Sequence, residues 1–143
     1  IADCGCGPTS FAMVASYLTG STITPIDAVA WCGNAYYAPG QGTYWSYFQA
    51  AADHFGCGSV TVTTDADAVL KALSEGRPVI SSQSAGLFTS GGHFIVLRGI
   101  TSGGKVLVND PNDSDAKNYI NREFDMLSEI HVSSKQYWIF EKK

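Results

Sequence analysis

Charge is what this sequence has least of. Only 15% of its 143 residues are Asp, Glu, Lys or Arg, against a usual ~25%, while the 45% hydrophobic content is ordinary for a globular protein. That deficit argues against a disordered tail or a solenoid. The net charge is −4 and the nine basic residues form no stripe. With nothing to neutralise a row of phosphates, nucleic acid is excluded as a partner. No apolar run approaches the ~18 residues of a membrane span, and no secretory signal opens the chain. The three histidines are scattered. The four cysteines, Cys4, Cys6, Cys32 and Cys57, show no paired ligand spacing. Neither a metal nor another cofactor is therefore expected. Cys4 and Cys6 are too close for an ordinary disulfide. If Cys6 works as a thiol, Cys4, Cys32 and Cys57 form one disulfide or none.

The length suits one domain spanning residues 1–143. Ile1 is not a start methionine, and Cys6 follows almost at once. The expectation is a piece of a longer protein, lacking its N-terminal segment and carrying further domains elsewhere. The first third reads as helical. Phe11, Val14, Ala15 and Leu18 follow the spacing of one helix face. Pro8 suits a first turn and Gly20 a C-terminal cap. Thr24-Pro25-Ile26-Asp27 opens a second helix. A third is predicted from Thr43 to about Phe55, ended by Gly56. Then the period changes. Strands are predicted at Ser59–Thr63, Pro78–Ser81, His93–Leu97, Lys105–Val108 and Gln136–Phe140, with Ser102-Gly103-Gly104 as a hairpin turn. Helices are predicted at Asp67–Ser74 and Arg122–Ile130. Helices first and a mostly antiparallel sheet second make an α+β fold.

Three residues stand out for chemistry. Cys6 precedes a helix start, where free N–H groups and the helix dipole favour a thiolate. Gly5 and Gly7 leave its backbone approachable. His93 opens an apolar strand after Ser90-Gly91-Gly92. Asp110 ends the next strand, before Pro111. A hairpin turning at Ser102–Gly104 brings these two strand ends together. Asp110 would then orient His93, and His93 would take the proton of Cys6. Asn109 is the competing orienter. Alternation places Asn109 and Asp110 on opposite faces, so only one points at His93; the choice of Asp110 assumes that no bulge intervenes. Alone, Cys6 reads equally well as a buried apolar residue, and His93 as a satisfied strand-end histidine. Tyr36, Tyr37, Tyr44, Trp45 and Phe88 sit in loops or at loop edges. With Gly91 and Gly92, the aromatics Tyr44, Trp45 and Phe88 are candidates for a substrate groove, against core packing. His54 reads as a surface residue, and His131 as a C-terminal helix cap.

The segments Cys6-Gly7-Pro8-Thr9-Ser10 with Ala12-Met13, Gly91-Gly92-His93-Phe94-Ile95-Val96 and Val106-Leu107-Val108-Asn109-Asp110-Pro111 appear in that order. Together they resemble the bacterial peptidases related to bacteriocin double-glycine-leader peptidases, within the papain-like superfamily. The resemblance implies a papain-like α+β fold and a Cys6, His93, Asp110 triad. Pro39-Gly40-Gln41-Gly42-Thr43-Tyr44-Trp45 is similar to stretches in secreted cell-wall hydrolases of Gram-positive bacteria. That implies a peptidoglycan stem-peptide substrate and a secreted or wall-associated bacterial protein. Removal of a leader from a secreted peptide is one alternative, and a non-catalytic module that binds wall peptides is another. The family's oxyanion hole uses a glutamine upstream of the cysteine. No Gln stands among residues 1–5, which leaves Gln41 and Gln83 to consider.

Overall fold

Phe11, Val14, Ala15 and Leu18 do form one buried stripe, on helix α1, Cys6–Thr19. The computed structural model describes residues 6–33, 35, 37–38, 42–43, 45–88, 92–111 and 118–141. Of residues 6, 37, 38, 42 and 43 it describes the backbone alone. Helix α2, Pro25–Ala30, begins where Thr24 and Asp27 cap each other: the Thr24 hydroxyl accepts from the Asp27 N–H, and the Asp27 carboxylate accepts from the Thr24 N–H. Those bonds hold the Asp27 carboxyl below its ordinary range, the backbone bond most.

The third helix starts later than predicted. Strands β1, Tyr37–Ala38, and β2, Gly42–Thr43, pair with each other, so Thr43 is taken by a ladder and α3 runs Tyr47–Phe55. After it come β3, Val60–Thr63, α4, Ala66–Ser74, β4, Val79–Gln83, β5, His93–Ile100, and β6, Val106–Asn109. The predicted helix over Arg122–Ile130 is not one element. Its front, Glu123–Phe124, is strand β7, paired to β6. An edge strand's bare N–H and C=O groups have a stronger claim on that segment than helix propensity does. The Asp125 carboxylate then accepts from the Ser128 N–H and starts a single π turn at Met126–Ile130. Strand β8, Ser134–Phe140, closes the sequence of elements.

The main sheet has the order β3-β8-β4-β5-β6-β7, and each of its pairings is antiparallel. Alternation gives it two apolar faces. On one, Ile80, Phe94, Val96, Trp138 and Phe140 pack with α1 and α3 around Phe11 and Phe48. On the other, Val79, Ile95, Leu97, Val108 and Tyr137 pack with α4, Phe88, Phe124 and Ile130. The architecture is the expected α+β arrangement.

The β5–β6 hairpin turns through 101–105. The Thr101 N–H donates to Lys105 O, and Gly104 has a φ of 81°, a conformation open to glycine. The ladder beyond the turn is not continuous. Gly99 pairs with Leu107 and Leu97 with Val108, so Arg98 is an extra residue: a β-bulge. Unbroken alternation between His93 and Asp110, assumed from the sequence, is therefore corrected.

Candidate active site

His93 is the first residue of β5 and Asp110 directly follows β6. The two side chains meet: His93 Nε2 lies 2.6 Å from Asp110 Oδ1. The side chains are 3% and 0% exposed. At that burial water does not screen the pair, so the hydrogen bond is strong and fixes the ring. An ionised carboxylate can only accept, so the Nε2–H donates. That tautomer leaves the proton-accepting role to Nδ1. Asn109 follows another course. Its Oδ1 is buried and makes no hydrogen bond among the described residues.

Helix α1 meets this hairpin in its second turn. Buried Ser10 donates from Oγ to the carbonyl of Phe94, at 3.3 Å, one residue from His93. Cys6 opens the same helix one turn earlier, about 6 Å along its axis. The thiol of Cys6 lies outside the described side chains.

On its other side, β5 pairs with β4, with Gln83 opposite His93. Gln83 is fully buried. Its amide nitrogen donates to Ser81 Oγ at 2.8 Å and to Ile130 O at 3.3 Å, and its oxygen accepts from Ser133 Oγ. Both N–H groups are in use, which removes Gln83 as an oxyanion donor. It is instead a strut: with Ser84, whose N–H and hydroxyl both donate to Ser133 O, it ties the end of β4 to the start of β8. Gly86 continues this belt. A Cβ there would stand 2.8 Å from Ser133 Cβ, so only glycine lets the loop lie this close. Sequence reasoning missed the belt, although a glutamine ending the run Val79-Ile80-Ser81-Ser82 was a signal that something buried needed a polar partner.

Several expected site residues are placed elsewhere. Phe88 is buried against Tyr119 and Phe124, so it is core and not groove. Trp45 is 42% exposed and packs edge-on against Trp138 at 5.3 Å. Gly92 is exposed, with open space where a side chain would be. Tyr44, Gly91, Gln41 and Tyr36, and the side chain of Tyr37, lie outside the described residues. His54 is exposed and stacks on Trp31 at 4.6 Å. His131 follows the π turn as expected and contacts the Tyr137 hydroxyl through Nδ1 at 2.8 Å. Cys32 and Cys57 are free thiols. Burial pushes both thiols up from their ordinary range, so both stay protonated near neutral pH. Cys4 lies outside the described residues. Among the described residues, no three His, Cys, Asp or Glu side chains are placed to hold a metal ion. No described helix is long and apolar enough to cross a membrane.

The model of the Peptidase_C39 like family matches residues 2–138. No curated protein matches the chain.

Proposed function

Since the chain belongs to the Peptidase_C39 like family, a family of papain-like cysteine peptidases, we propose that it hydrolyses peptide bonds through Cys6, His93 and Asp110, and that its substrate is the stem peptide of bacterial peptidoglycan. One observation carries the reading: the buried His93–Asp110 bond stands beside Phe94, whose carbonyl Ser10 holds one turn after Cys6 on α1. Nε2 is committed to the carboxylate, so proton exchange with Cys6 runs through Nδ1. His93 takes the thiol proton, and the thiolate sulfur attacks the carbonyl carbon of the substrate. The oxyanion forms near the free N–H groups at the start of α1. The C–N bond breaks as the imidazolium gives its proton to the departing amine. A thioester remains on Cys6. Water then loses a proton to His93, attacks the thioester, and releases the acid while the thiol is restored. Asp110 holds the ring and stabilises each imidazolium.

The substrate class rests on the likeness of residues 39–45 to wall hydrolases and on Trp45, an exposed aromatic surface of the kind that packs on peptides and sugars. A protein acting there would be exported and would work at the wall. The test is digestion of purified Gram-positive sacculi, with mass spectrometry of the soluble products. New amino termini within stem peptides are expected, and none with Cys6→Ala. Intact sacculi alongside cleavage of a double-glycine leader peptide would move the substrate to secreted peptides. Binding to sacculi with no cleavage of either would make the chain a recognition module.

A further inference from the structure

We propose that a cleft at the far end of α1 is a second binding site, separate from the Cys6 site, for a peptide end that carries both a free amine and a free carboxylate. Its use in wall hydrolysis rests on the peptidase reading above. The binding itself does not.

The cleft has a volume of about 780 Å3, within the ordinary range of small-molecule sites, about 300–1,000 Å3. Its walls come from three places: Tyr17 near the end of α1, Lys71, Glu75 and Arg77 around the end of α4, and Glu141 after β8. It lies away from the proposed active site. Tyr17 follows Cys6 by three turns of α1, about 16 Å along the axis. Arg77 stands just before β4, whose opposite end holds Gln83 across from His93.

The charges select the ligand. Lys71 and Glu75 have the four-residue spacing that pairs opposite charges on a helix. Here the Glu75 carboxylate is taken by Arg77 instead. Lys71 and Glu141 are exposed, and among the described residues neither makes an ion pair. One cation and one carboxylate therefore face the same cleft, uncommitted to each other and to the Arg77–Glu75 pair. A ligand of one sign meets one attraction and one repulsion there. A zwitterion meets two attractions, its carboxylate at Lys71 and its amine at Glu141. Tyr17 supplies an apolar wall. Its hydroxyl donates to Gly76 O at 3.4 Å, which ties the exposed ring to the α4 side of the cleft. Stem peptides have the matching chemistry, an amine on the diamino residue and a terminal carboxylate. A wall polymer held here by one peptide stays close to Cys6 while another is cut.

The test follows backbone amide resonances of the full chain, as Cys6→Ala to keep the ligand whole, during titration with D-alanyl-D-alanine. The amides of Gly76, Arg77 and Glu141 should shift and saturate, in the millimolar range that suits water-screened charges. The N-acetyl dipeptide lacks the amine and the dipeptide amide lacks the carboxylate; each should bind about threefold or more weakly. Lys71→Met should weaken the free dipeptide by a similar factor and leave the dipeptide amide unchanged. Glu141→Gln should weaken the free dipeptide likewise and leave the N-acetyl form unchanged. Both side chains are exposed, so both variants keep the fold. With Cys6 restored, the two variants should digest sacculi about threefold or more slowly than the parent chain, at an unchanged kcat/KM on a soluble stem peptide. The binding proposal is overturned if the cleft amides do not shift, if the capped dipeptides bind as well as the free one, or if Lys71→Met weakens the amide as much as the free dipeptide. Shifts confined to residues around His93 would put the peptide in the active site alone and overturn it too. An unchanged rate on sacculi would overturn the part played in wall hydrolysis. The titrations need no turnover, so a failure of the peptidase reading, seen as sacculi left intact by the parent chain, stays distinct from a failure of the second site.

Discussion

Cys6→Ala and His93→Ala are each expected to lower kcat/KM by about 100,000-fold or more, and the double variant should be no more than about tenfold worse. The non-additivity is the informative part. If His93 acts by taking the proton of Cys6, an enzyme without the thiol has no further use for the base. Two independent contributions would instead multiply. His93→Ala carries a second effect. It strips a short partner from a fully buried carboxylate, a class of change that costs about 3–5 kcal/mol. Its kinetics should be measured well below its own melting temperature. Steady-state kinetics on a soluble stem peptide check the prediction. A double variant far below both singles would show that the two residues act separately.

Asp110→Ala should cost about 100- to 10,000-fold in kcat/KM, while Asn109→Ala should stay within about threefold, the range of a side chain that makes no contact in the transition state. The difference follows from contact and charge. Asp110 fixes the Nε2–H tautomer and meets the imidazolium with a negative charge. Asn109 Oδ1 accepts no hydrogen bond among the described residues, so its removal breaks no bond there. Kinetics of the two variants side by side are the check. A larger loss at Asn109 would mean that the hairpin register in solution differs from the one described.

The pattern of success and failure in reading the sequence has physical causes. Helices α1 and α2 were legible because their signals are local: a 3.6-residue stripe in one, a Thr24–Asp27 box in the other. The hairpin of β5 and β6 was legible from two apolar runs and a glycine turn. The start of α3 was not, because Gly42–Thr43 is claimed by a partner strand five residues upstream. Nor was β7, whose Glu123–Phe124 looks helical alone and becomes a strand only because the edge of β6 needs a partner. Phe88 shows the limit of reading aromatics in loops. Its ring is held by Tyr119 and Phe124, contacts more than thirty residues away.

The site itself was half legible. Residue types and spacing pointed to His93 and Asp110, and the hairpin does bring them together. The choice of Asp110 over Asn109 rests on the family resemblance and on unbroken alternation, and the second of these is not what the hairpin shows. Counted from the turn, alternation alone favours Asn109, and the bulge at Arg98 reverses it. Gly99 was the available clue, a lone glycine inside a strand. The Gln83 belt was invisible for a different reason. Its partners, Ile130 and Ser133, come from a π turn and a 3-10 turn that periodicity does not reveal.

The central claim is that Cys6 and His93 form one reactive pair. It is tested most directly by the pH dependence of Cys6 alkylation with iodoacetamide, followed residue by residue by mass spectrometry. Cys57 is an internal control, since burial keeps its thiol protonated and slow. The account predicts that Cys6 is alkylated readily near pH 6, well below the ~8.5 of an ordinary thiol. It also predicts that His93→Ala slows Cys6 by about tenfold or more at that pH. Alkylation of Cys6 only above about pH 8, or a profile that His93→Ala leaves unchanged, would contradict it.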